Sequence, residues 1–341
     1  MSRLWSHVRR LWPGPSIHLP LLLVYWSALM GALGLLRSDH VLTALAVAGL
    51  AFFSEKTKRL LVAFSGFVFV ALIYDASRFV RDLGVSQQRT LLCNLREVEL
   101  SLFGITAGGQ RQTLQDYFLA HHTLPADVFF AVPYGLFLLI AVGYAIDLYR
   151  KDARACAQYV AAFAILNALG IVTYHLLPAA PPWYFHKFGC TVDLQAAAFE
   201  GQALARVDAL VGFQYFRDLY GRASEVFGAI PSLHVAYPLL IVLMGWRRHG
   251  NLGRALSVFY WLWMCVAAVY LDHHWVTDLL VGWVYAAAVV WAVRGLPARW
   301  AIGGTFRSPR EGAEVSLAPR SGLPALEPLI APPSEEKARQ P

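Results

Sequence analysis

The chain has 341 residues, of which 57% are hydrophobic and only 15% are charged, and its formal net charge is +7 at pH 7. Ordinary soluble domains carry about 25% charged residues, so this composition excludes such a domain and indicates an integral membrane protein. The positive charges flank apolar segments, so membrane topology and anionic headgroups explain them better than a nucleic-acid partner, and none is expected.

Apolar segments of membrane-spanning length recur along the chain. A transmembrane helix needs roughly 20 mostly apolar residues. We predict such helices near residues 17–36, 59–76, 127–148, 156–177, 231–246, 255–271 and 275–294, with a shorter one near 40–53. The predicted fold is all-α: a polytopic membrane helix bundle of about eight transmembrane helices, with interfacial helices in the external loops. The first span is too long, and too poorly followed by small residues, for a cleaved signal peptide.

The composition divides the chain into two regions. Residues 1–302 are predicted to form one integral membrane domain. From about residue 303 the sequence is rich in Pro, Ala, Ser, Glu and Arg without a sustained apolar period, which is typical of disorder. We therefore predict a disordered cytoplasmic tail over residues 303–341.

Basic residues in the short connections predict the orientation of the spans. With eight spans, these connections all fall on one side, and the positive-inside rule makes that side cytoplasmic. The residues concerned are Arg3, Arg9, Arg10, Lys56, Lys58, Arg59, Arg150, Lys151, Arg154, Arg247, Arg248 and Arg254. Segments 77–126 and 178–230 then lie outside, and His234 and His274 share the non-cytoplasmic face. That face is the periplasmic side of a bacterial inner membrane or the Golgi lumen of a eukaryote.

The first external segment has apolar residues at helical spacing among polar ones, in the runs that begin at Arg96 and Thr113. This pattern predicts helices that lie along the membrane interface. The plain interpretation is a lid that caps the bundle. A second interpretation is that Glu99 holds a basic group near a functional site.

The second external segment opens with Tyr-His-Leu-Leu-Pro-Ala-Ala-Pro-Pro-Trp-Tyr at residues 174–184. Its prolines end a helix and stiffen its exit, while Trp183 and Tyr184 suit the headgroup level of a membrane. An aromatic-belt turn and a substrate-contacting role are both open for these two residues. His175 is either an interfacial polar residue or a phosphate contact.

A histidine follows at a helix start, in the run Gly-Ala-Ile-Pro-Ser-Leu-His at residues 228–234. Pro231 suits the first helical turn, where its missing N–H would have no partner. Ser232 and the neighbouring N–H groups are placed to bind an anion at the positive end of the helix dipole, with His234 projecting toward it. A lone histidine here is more often interfacial than catalytic, but a second one on the same face reverses that balance.

The second histidine lies in the run Tyr-Leu-Asp-His-His-Trp-Val-Thr-Asp at residues 270–278. His274 and Asp278 are four residues apart and therefore share one helix face. A carboxylate that accepts from one ring nitrogen leaves the other nitrogen free to attack. The hypothesis is phosphoryl transfer from a lipid phosphodiester, with His274 as the nucleophile that forms a phosphohistidine. Asp278 orients it, and His234 serves as general acid and base.

Signals for metals and disulfides are weak. Asp272 and His273 make only a weak metal pair, and no Asp-rich or His/Cys cluster is seen at this face, so no metal or other cofactor is expected. Two of the four cysteines fall in spans. Cys93 and Cys190 both fall outside, where a disulfide is permitted but not required.

These runs resemble the type 2 phosphatidic acid phosphatase superfamily and, within it, the fungal inositol phosphorylceramide synthase-like branch. The resemblance covers about residues 95–290 and includes Glu-Leu-Ser-Leu-Phe-Gly at 99–104 and Trp-Leu-Trp at 261–263. It implies a catalytic triad of His234, His274 and Asp278. It also implies membrane lipids as partners: inositol phosphate would pass from phosphatidylinositol to a ceramide-like hydroxyl, with release of diacylglycerol.

The chain departs from the wider superfamily at three places. The usual Lys and Arg before the proline-rich motif are absent, the usual Ser-Arg pair aligns with Ala267 and Ala268, and Leu233 replaces a glycine. The first two losses remove cations that would neutralise a phosphate monoester, which carries nearly two charges at neutral pH. A phosphodiester carries one, so the departures favour head-group transfer over monoester hydrolysis. The remaining candidates for a phosphate contact are His175, Lys187, Arg217, Arg222 and His273.

Two other functions stay open from the sequence. A lipid phosphate phosphatase would use the same triad with water as the acceptor. A transporter would use histidines along a polar pathway, but its binding groups would be expected near the midplane, and these histidines are predicted at helix mouths. The acceptor lipid and the donor head group, whether inositol, another polyol or an alcohol, are left open.

Overall fold

The computed structural model describes residues 5–7, 18–197, 202–221 and 225–294. The predicted tail over residues 303–341 lies outside the described residues, as does Arg222. In chain order the elements are α1 (His18–Ala32), α2 (Ser38–Phe53), α3 (Glu55–Ser77), α4 (Cys93–Phe103), β1 (Ile105–Ala107), β2 (Gln110–Gln112), α5 (Leu114–Ala120), α6 (Leu124–Lys151), α7 (Ala153–Leu176), α8 (Pro182–Phe188), α9 (Gln202–Val211), α10 (Tyr215–Tyr220), α11 (Leu233–Gly245), α12 (Asn251–Tyr270) and α13 (Val276–Arg294).

Apolar helices form at all eight predicted positions, and the prediction of a polytopic helical membrane protein is confirmed. Five of these helices, α3, α6, α7, α12 and α13, are long and apolar enough to cross a membrane. The other three, α1, α2 and α11, are apolar but shorter. The observed ends lie within a few residues of the predicted ones, because the apolar runs end at charged or turn-forming residues.

The expectation of a purely helical chain is wrong at one place within segment 77–126. Strands β1 and β2 pair antiparallel as a small hairpin. Its turn is the pair Gly108 and Gly109, which have φ values of 59° and 78°. Two consecutive glycines with positive φ are a hairpin signal, and this local signal prevails over the helical spacing around it.

Helix α11 lies at the centre of the bundle and packs against α6, α7, α12 and α13. Its side chains are buried on nearly every side, which is why its sequence is apolar throughout and lacks a polar face. The core around it includes Leu233, Ala236 and Leu240. This packing brings the start of α11 and the start of α13 to the same end of the molecule.

Helices α1, α2 and α3 form a smaller unit that reaches the bundle mainly through the contact of α3 with α7. Their outer ends are joined by Asp75, a mostly buried carboxylate on α3. It accepts from Trp26 Nε1 (2.7 Å) and Arg37 Nη2 (2.9 Å), and it also pairs with Arg78. These charge-assisted bonds hold the three helices together at the end where the two histidines lie.

The described residues of segments 77–126 and 178–230 fold into a cap over that same end. A disulfide joins Cys93 at the start of α4 to Cys190 beyond α8, with 5.5 Å between their Cα atoms. The sequence permitted this bond without requiring it. Residues Leu91, Ala179 and Gly228 are linked as parallel bridges, so the proline-rich motif lies beside the run that leads into α11. The cap therefore positions the histidine motifs directly.

Candidate active site

The helix start that carries His234 is held against α13 by main-chain contacts. The N–H of Ser232 donates to the carbonyl oxygen of Asp278 (3.1 Å). This approach depends on Gly282 of α13, where an added Cβ atom would collide with the carbonyl oxygen of Ser232. The position of His234 relative to α13 is therefore set by backbone packing.

Leu233, which replaces the glycine of the resembled motif, is buried against α7. It lies over Gly170, where an added Cβ atom would come within 2.9 Å of the Leu233 Cδ1 atom. A glycine on the facing helix thus makes room for the leucine. The departure is accommodated by packing and does not displace His234.

A tight turn after α12 presents the second histidine. Asp272 has a φ of 63°, in the left-handed region that Asp tolerates better than most residues. The N–H groups of His273 and His274 both donate to the carbonyl oxygen of Ala268, at 3.1 Å each. The chain therefore reverses within a few residues, and both imidazoles line the cavity.

Asp278 is fully buried beneath His274 and holds it from the first turn of α13. Its Oδ2 atom lies 3.3 Å from His274 Nδ1 and accepts from the backbone N–H of Trp275 (2.8 Å). The Trp275 indole in turn donates to the carbonyl oxygen of Ala180 in the proline-rich motif (3.0 Å). With Nδ1 donating to the carboxylate, the Nε2 lone pair of His274 is available as a nucleophile.

The two histidines face each other across a short gap. His234 Nδ1 lies 3.3 Å from His274 Nε2. His274 Nε2, which is free to attack, therefore lies next to His234 Nδ1, which is able to give or take a proton. This arrangement is suited to covalent transfer assisted by a general acid and base.

Tyr220 is a site residue that the sequence analysis missed. Its hydroxyl donates to the carbonyl oxygen of Tyr134 (3.1 Å) and lies 3.3 Å from His234 Nε2. Because the hydroxyl proton is used on Tyr134, the oxygen accepts from Nε2–H of His234. That bond leaves His234 Nδ1 to act on the reacting group. No local motif marks Tyr220, since it reaches His234 only through the packing of α10 on the bundle.

Burial keeps the loop histidines neutral. Removal from water lowers the pKa of His274 to about 4, although a hydrogen bond to the carbonyl oxygen of Ala229 opposes the shift. Burial and the neighbouring His274 lower the pKa of His273 to about 3. At neutral pH both imidazoles are therefore uncharged, which is the form in which His274 is nucleophilic.

A cavity of about 640 Å³ opens in front of the histidines. This volume is in the range of small-molecule sites. Its walls are mainly apolar side chains of α3, α6, α7 and α11, and its far end reaches the Asp75 cluster. The site thus combines a reactive polar centre with an apolar chamber.

Three of the predicted binding residues lie at this centre. His273 and Trp183 line the cavity, and the buried Nε2 atom of His273 has no hydrogen-bond partner. Ser232 is fully buried beside His234, and its hydroxyl likewise has no partner. Trp183 is buried and donates its backbone N–H to the carbonyl oxygen of Asp272 (3.0 Å), so it is not part of a surface aromatic belt.

The other predicted contacts that the structure describes lie away from the cavity. The hydroxyl of buried Tyr184 donates to the carbonyl oxygen of Thr191 (3.1 Å), so this residue supports the cap. His175 uses Nδ1 on the carbonyl oxygen of Ile171 in its own helix (2.8 Å). Lys187 lies over the ring of Phe188, and Arg217 is exposed on α10. None of these side chains lines the cavity.

Glu99 does not hold a basic group, contrary to the second interpretation above. Its carboxylate is buried and accepts from the N–H groups of Val276 (2.7 Å) and Thr277 (3.2 Å). It also accepts from the Thr277 hydroxyl (3.2 Å). Glu99 therefore stabilises the positive end of α13, whose first-turn amides would otherwise lack partners.

Within the described residues, no group of three or more His, Cys, Asp or Glu side chains is arranged to hold a metal ion. The polar side chains gathered at the site are the imidazoles of His234, His273 and His274, the Asp278 carboxylate and tyrosine hydroxyls.

Comparison with known proteins assigns these features to a family. The sequence pattern of the PAP2 superfamily matches residues 107–292. Phosphoinositol dihydroceramide synthase of Bacteroides thetaiotaomicron is 31% identical over 251 residues, which cover 72% of this chain and 81% of that protein. No solved structure gives a significant match.

Fungal relatives match over shorter lengths. The inositol phosphorylceramide synthase catalytic subunit of Saccharomyces cerevisiae is 30% identical over 226 residues, or 64% of this chain and 53% of that protein. Its counterpart from Schizosaccharomyces pombe is 29% identical over 159 residues, or 46% of this chain and 37% of that protein. The chain thus spans most of the bacterial relative but about half or less of the fungal ones.

Proposed function

This chain belongs to the PAP2 superfamily, and on that premise we propose that it is a membrane lipid phosphotransferase that moves inositol phosphate from phosphatidylinositol to a ceramide-like hydroxyl. The observation that carries the proposal is the pair His234 Nδ1 and His274 Nε2, 3.3 Å apart beside an apolar cavity. The names of the relatives, which are synthases of phosphoinositol ceramides, supply the substrate class.

The first half-reaction transfers the head group to the enzyme. His274 Nε2 attacks the phosphorus of phosphatidylinositol, and the bond from phosphorus to the diacylglycerol oxygen breaks. His234 enters this step as an imidazolium: it gives its Nδ1 proton to the departing alkoxide, which leaves as diacylglycerol, and it keeps the Nε2 proton that it donates to Tyr220. Asp278, hydrogen-bonded to Nδ1–H of His274, balances the positive charge on the phosphorylated imidazole.

The second half-reaction reverses the roles. His234, now neutral, takes the proton of the acceptor hydroxyl, and that oxygen attacks the phosphorus. The bond from phosphorus to Nε2 breaks, which regenerates neutral His274 and protonated His234. Such acid and base assistance contributes roughly 10²–10⁴ in rate. His273, with its unpartnered Nε2 in the cavity, supplies a neutral contact to a phosphodiester oxygen.

The charge of the site favours a phosphodiester over a monoester. Among the described residues, the arginines that line the cavity are Arg37 and Arg78, and both are paired with Asp75 at its far end. Beside the reacting nitrogens of His234 and His274 lie the neutral His273 imidazole, tyrosine hydroxyls and the Asp278 carboxylate, with Glu225 in the cavity wall and no described lysine or arginine, which suits one negative charge on the substrate better than two. This supports transfer over the phosphatase alternative.

We place the active site on the non-cytoplasmic face, in a bundle of eight crossings. Basic residues cluster at the opposite helix ends, and the Cys93–Cys190 disulfide of the cap fits an oxidising compartment. Helix α11 has 13 residues, or about 20 Å, less than the roughly 30 Å of a bilayer core. Its start, with His234, would then lie below the outer surface and within reach of a lipid phosphate.

The test is transfer by the purified protein in detergent micelles with inositol-labelled phosphatidylinositol and ceramide. We expect the label in a new, ceramide-dependent lipid and a loss of more than about 1000-fold in His274→Ala. The matched control is His121→Gln, an exposed histidine of the cap, which should transfer at the wild-type rate. Ceramide-independent release of free inositol phosphate would instead identify a hydrolase.

A further inference from the structure

His186 of α8 lies between two carboxylates from different parts of the chain. Its Nδ1 atom is 2.8 Å from Asp272 Oδ2, and its Nε2 atom is 2.8 Å from Asp116 Oδ1. Asp116 belongs to α5, and Asp272 lies in the turn that presents His274. All three side chains are mostly buried. One imidazole therefore connects the cap to the catalytic turn.

The geometry requires a cationic imidazole. An ionised carboxylate can accept hydrogen bonds but cannot donate them. Both ring nitrogens of His186 must therefore donate. Burial lowers the pKa of His186, but the bonds to Asp116 and Asp272 outweigh it and raise the pKa to about 9. Burial raises the pKa of Asp116, but hydrogen bonds from His186 and Thr113 and the charge of Arg96 outweigh it and hold that pKa below its usual range.

Other charges surround this cluster. Arg96 of α4 pairs with Asp116 Oδ2 at 2.8 Å, and the charge of Arg206 of α9 acts on Asp272 at longer range. Burial raises the pKa of Asp272 to about 6, against the opposing effect of His186. The groups that face His186 are thus two carboxylates, each with a second positive charge beyond it.

The turn that His186 contacts is the one that orients the nucleophile. Asp272 holds a left-handed conformation with φ of 63°, and its carbonyl oxygen accepts from the N–H of Trp183 on α8. Gln115 of α5 donates to the carbonyl oxygen of His274 (3.0 Å). The turn is therefore held from outside, by α5 and α8, on both sides of the two histidines.

We propose that His186 is a positioning residue: as a cation bridging two carboxylates, it fixes the turn that presents His274 to the cavity. The proposal rests on the function assigned above. His186 touches no reacting atom, so its contribution is to keep His274 Nε2 aimed at the phosphorus. A misplacement of about 1 Å can cost roughly 100-fold in rate.

The bridge also predicts how stability depends on pH. The folded pKa of His186 is raised, so its contribution is complete below the unfolded value of about 6.5 and is lost as the pH rises through about 9. Asp272, whose pKa is also raised, opposes folding: its unfavourable contribution grows as the pH rises from about 4 to about 6 and stays constant above that. Of the three bridging side chains, only His186 changes charge between pH 7 and 10.

The test compares His186→Gln with wild type in detergent, by steady-state transfer and by melting midpoints from pH 6.5 to 10. A glutamine donates to one carboxylate but presents an oxygen to the other. We expect kcat to fall roughly 10- to 100-fold with KM for both lipids within about twofold. We also expect the decline of the melting midpoint above pH 7 to be largely absent. His121→Gln should match wild type in all three measurements.

Asp272→Asn provides the second variant. Asn tolerates the left-handed conformation and still accepts from His186 but carries no charge. The decline of the melting midpoint should therefore move to lower pH, because His186 loses one of its two anions. The variant that carries both His186→Gln and Asp272→Asn should transfer no more slowly than His186→Gln alone, because both changes break the same bridge.

The outcomes separate clearly. A kcat of His186→Gln within about twofold of wild type, an unchanged pH dependence of melting, or independent effects of the two variants would each overturn the proposal. If His186→Gln does not fold, Asp272→Asn decides through its melting series. If the wild-type protein transfers no head group, the proposed function fails, while the melting series still tests the bridge.

Discussion

At the scale of single residues, the pairing of His274 with Asp278 follows from local spacing, whereas the contacts that hold His234 and the turn before α13 do not. His274 and Asp278 are predicted as partners because four residues separate them on one helix, and the structure places Nδ1 of the first 3.3 Å from the second. Nothing in the local sequence connects Tyr220 or His186 to these residues. Their contacts arise from segments far apart in the chain.

The bond from His234 to Tyr220 predicts a specific kinetic defect. In Tyr220→Phe, Nε2–H of His234 loses its acceptor, so the imidazole no longer has one preferred tautomer and orientation. We expect kcat to fall roughly 10-fold, with little change in KM. This loss is smaller than the full contribution of acid–base catalysis, because His234 is still present. The measurement is steady-state transfer in micelles.

Tyr215→Phe is the matched control for this change. The Tyr215 hydroxyl donates to the carbonyl oxygen of Gly135 (2.7 Å) on the outside of the bundle, so its loss should leave kcat at the wild-type value. Equal rates for Tyr220→Phe and Tyr215→Phe would contradict the role given to Tyr220.

At the scale of elements, the site depends on two helices that begin side by side. Helix α11 brings His234, α13 brings Asp278, and their main chains are bonded through Ser232. Glu99 adds a buried carboxylate at the first amides of α13. His234 and Asp278 therefore lie on helix starts, whereas His274 lies in the turn before α13, which the cap contacts through α5 and α8.

The close packing of these helices makes Gly282 sensitive. A Cβ atom there would collide with the carbonyl oxygen of Ser232, so Gly282→Ala must push α11 away from α13. We expect a stability loss of roughly 1–3 kcal/mol and a marked loss of transfer activity. Both are measured on the purified protein, by thermal melting and by the labelled-lipid assay.

Gly143→Ala serves as the comparison, because it makes the same change within helix α6. No atom lies within 4 Å of a Cβ added at Gly143, so melting and activity should stay at or slightly above wild type. Similar losses in both variants would show that general helix effects, and not the α11–α13 contact, explain the result.

At the scale of the whole molecule, the cap is tied together across a long stretch of chain. The disulfide joins Cys93 to Cys190, 97 residues apart, and the segment between them includes α4 to α8. The Arg96–Asp116 pair and the His186 bridge lie within the same cap. The cap and the bundle are therefore expected to unfold together.

Removal of this disulfide should weaken the whole fold. In the Cys93→Ser/Cys190→Ser double variant we expect a stability loss of roughly 2–4 kcal/mol, because a long loop is no longer closed in the unfolded chain. The measurement is the melting midpoint in detergent with and without reductant. Reductant should lower the midpoint of wild type only; an equal effect on the double variant would contradict the prediction.

The sequence by itself determined the membrane class and the positions of eight apolar helices, and it singled out His234, His274 and Asp278 as the candidate triad. These features follow from composition, apolar periodicity, the spacing of His274 and Asp278, and the short motif around His234, which are local properties of the chain. The phosphate-contact candidates His175 and Lys187 lie close to the motifs in sequence, but neither lines the cavity.

Only the tertiary structure decided which of the remaining polar groups meet the triad. Tyr220, Glu99 and His186 each act across more than 10 residues of separation, through contacts that exist only when the cap closes over the bundle. A hydrogen bond between distant segments depends on the relative placement of whole elements, and that placement is set by the sum of their packing. No single motif encodes it.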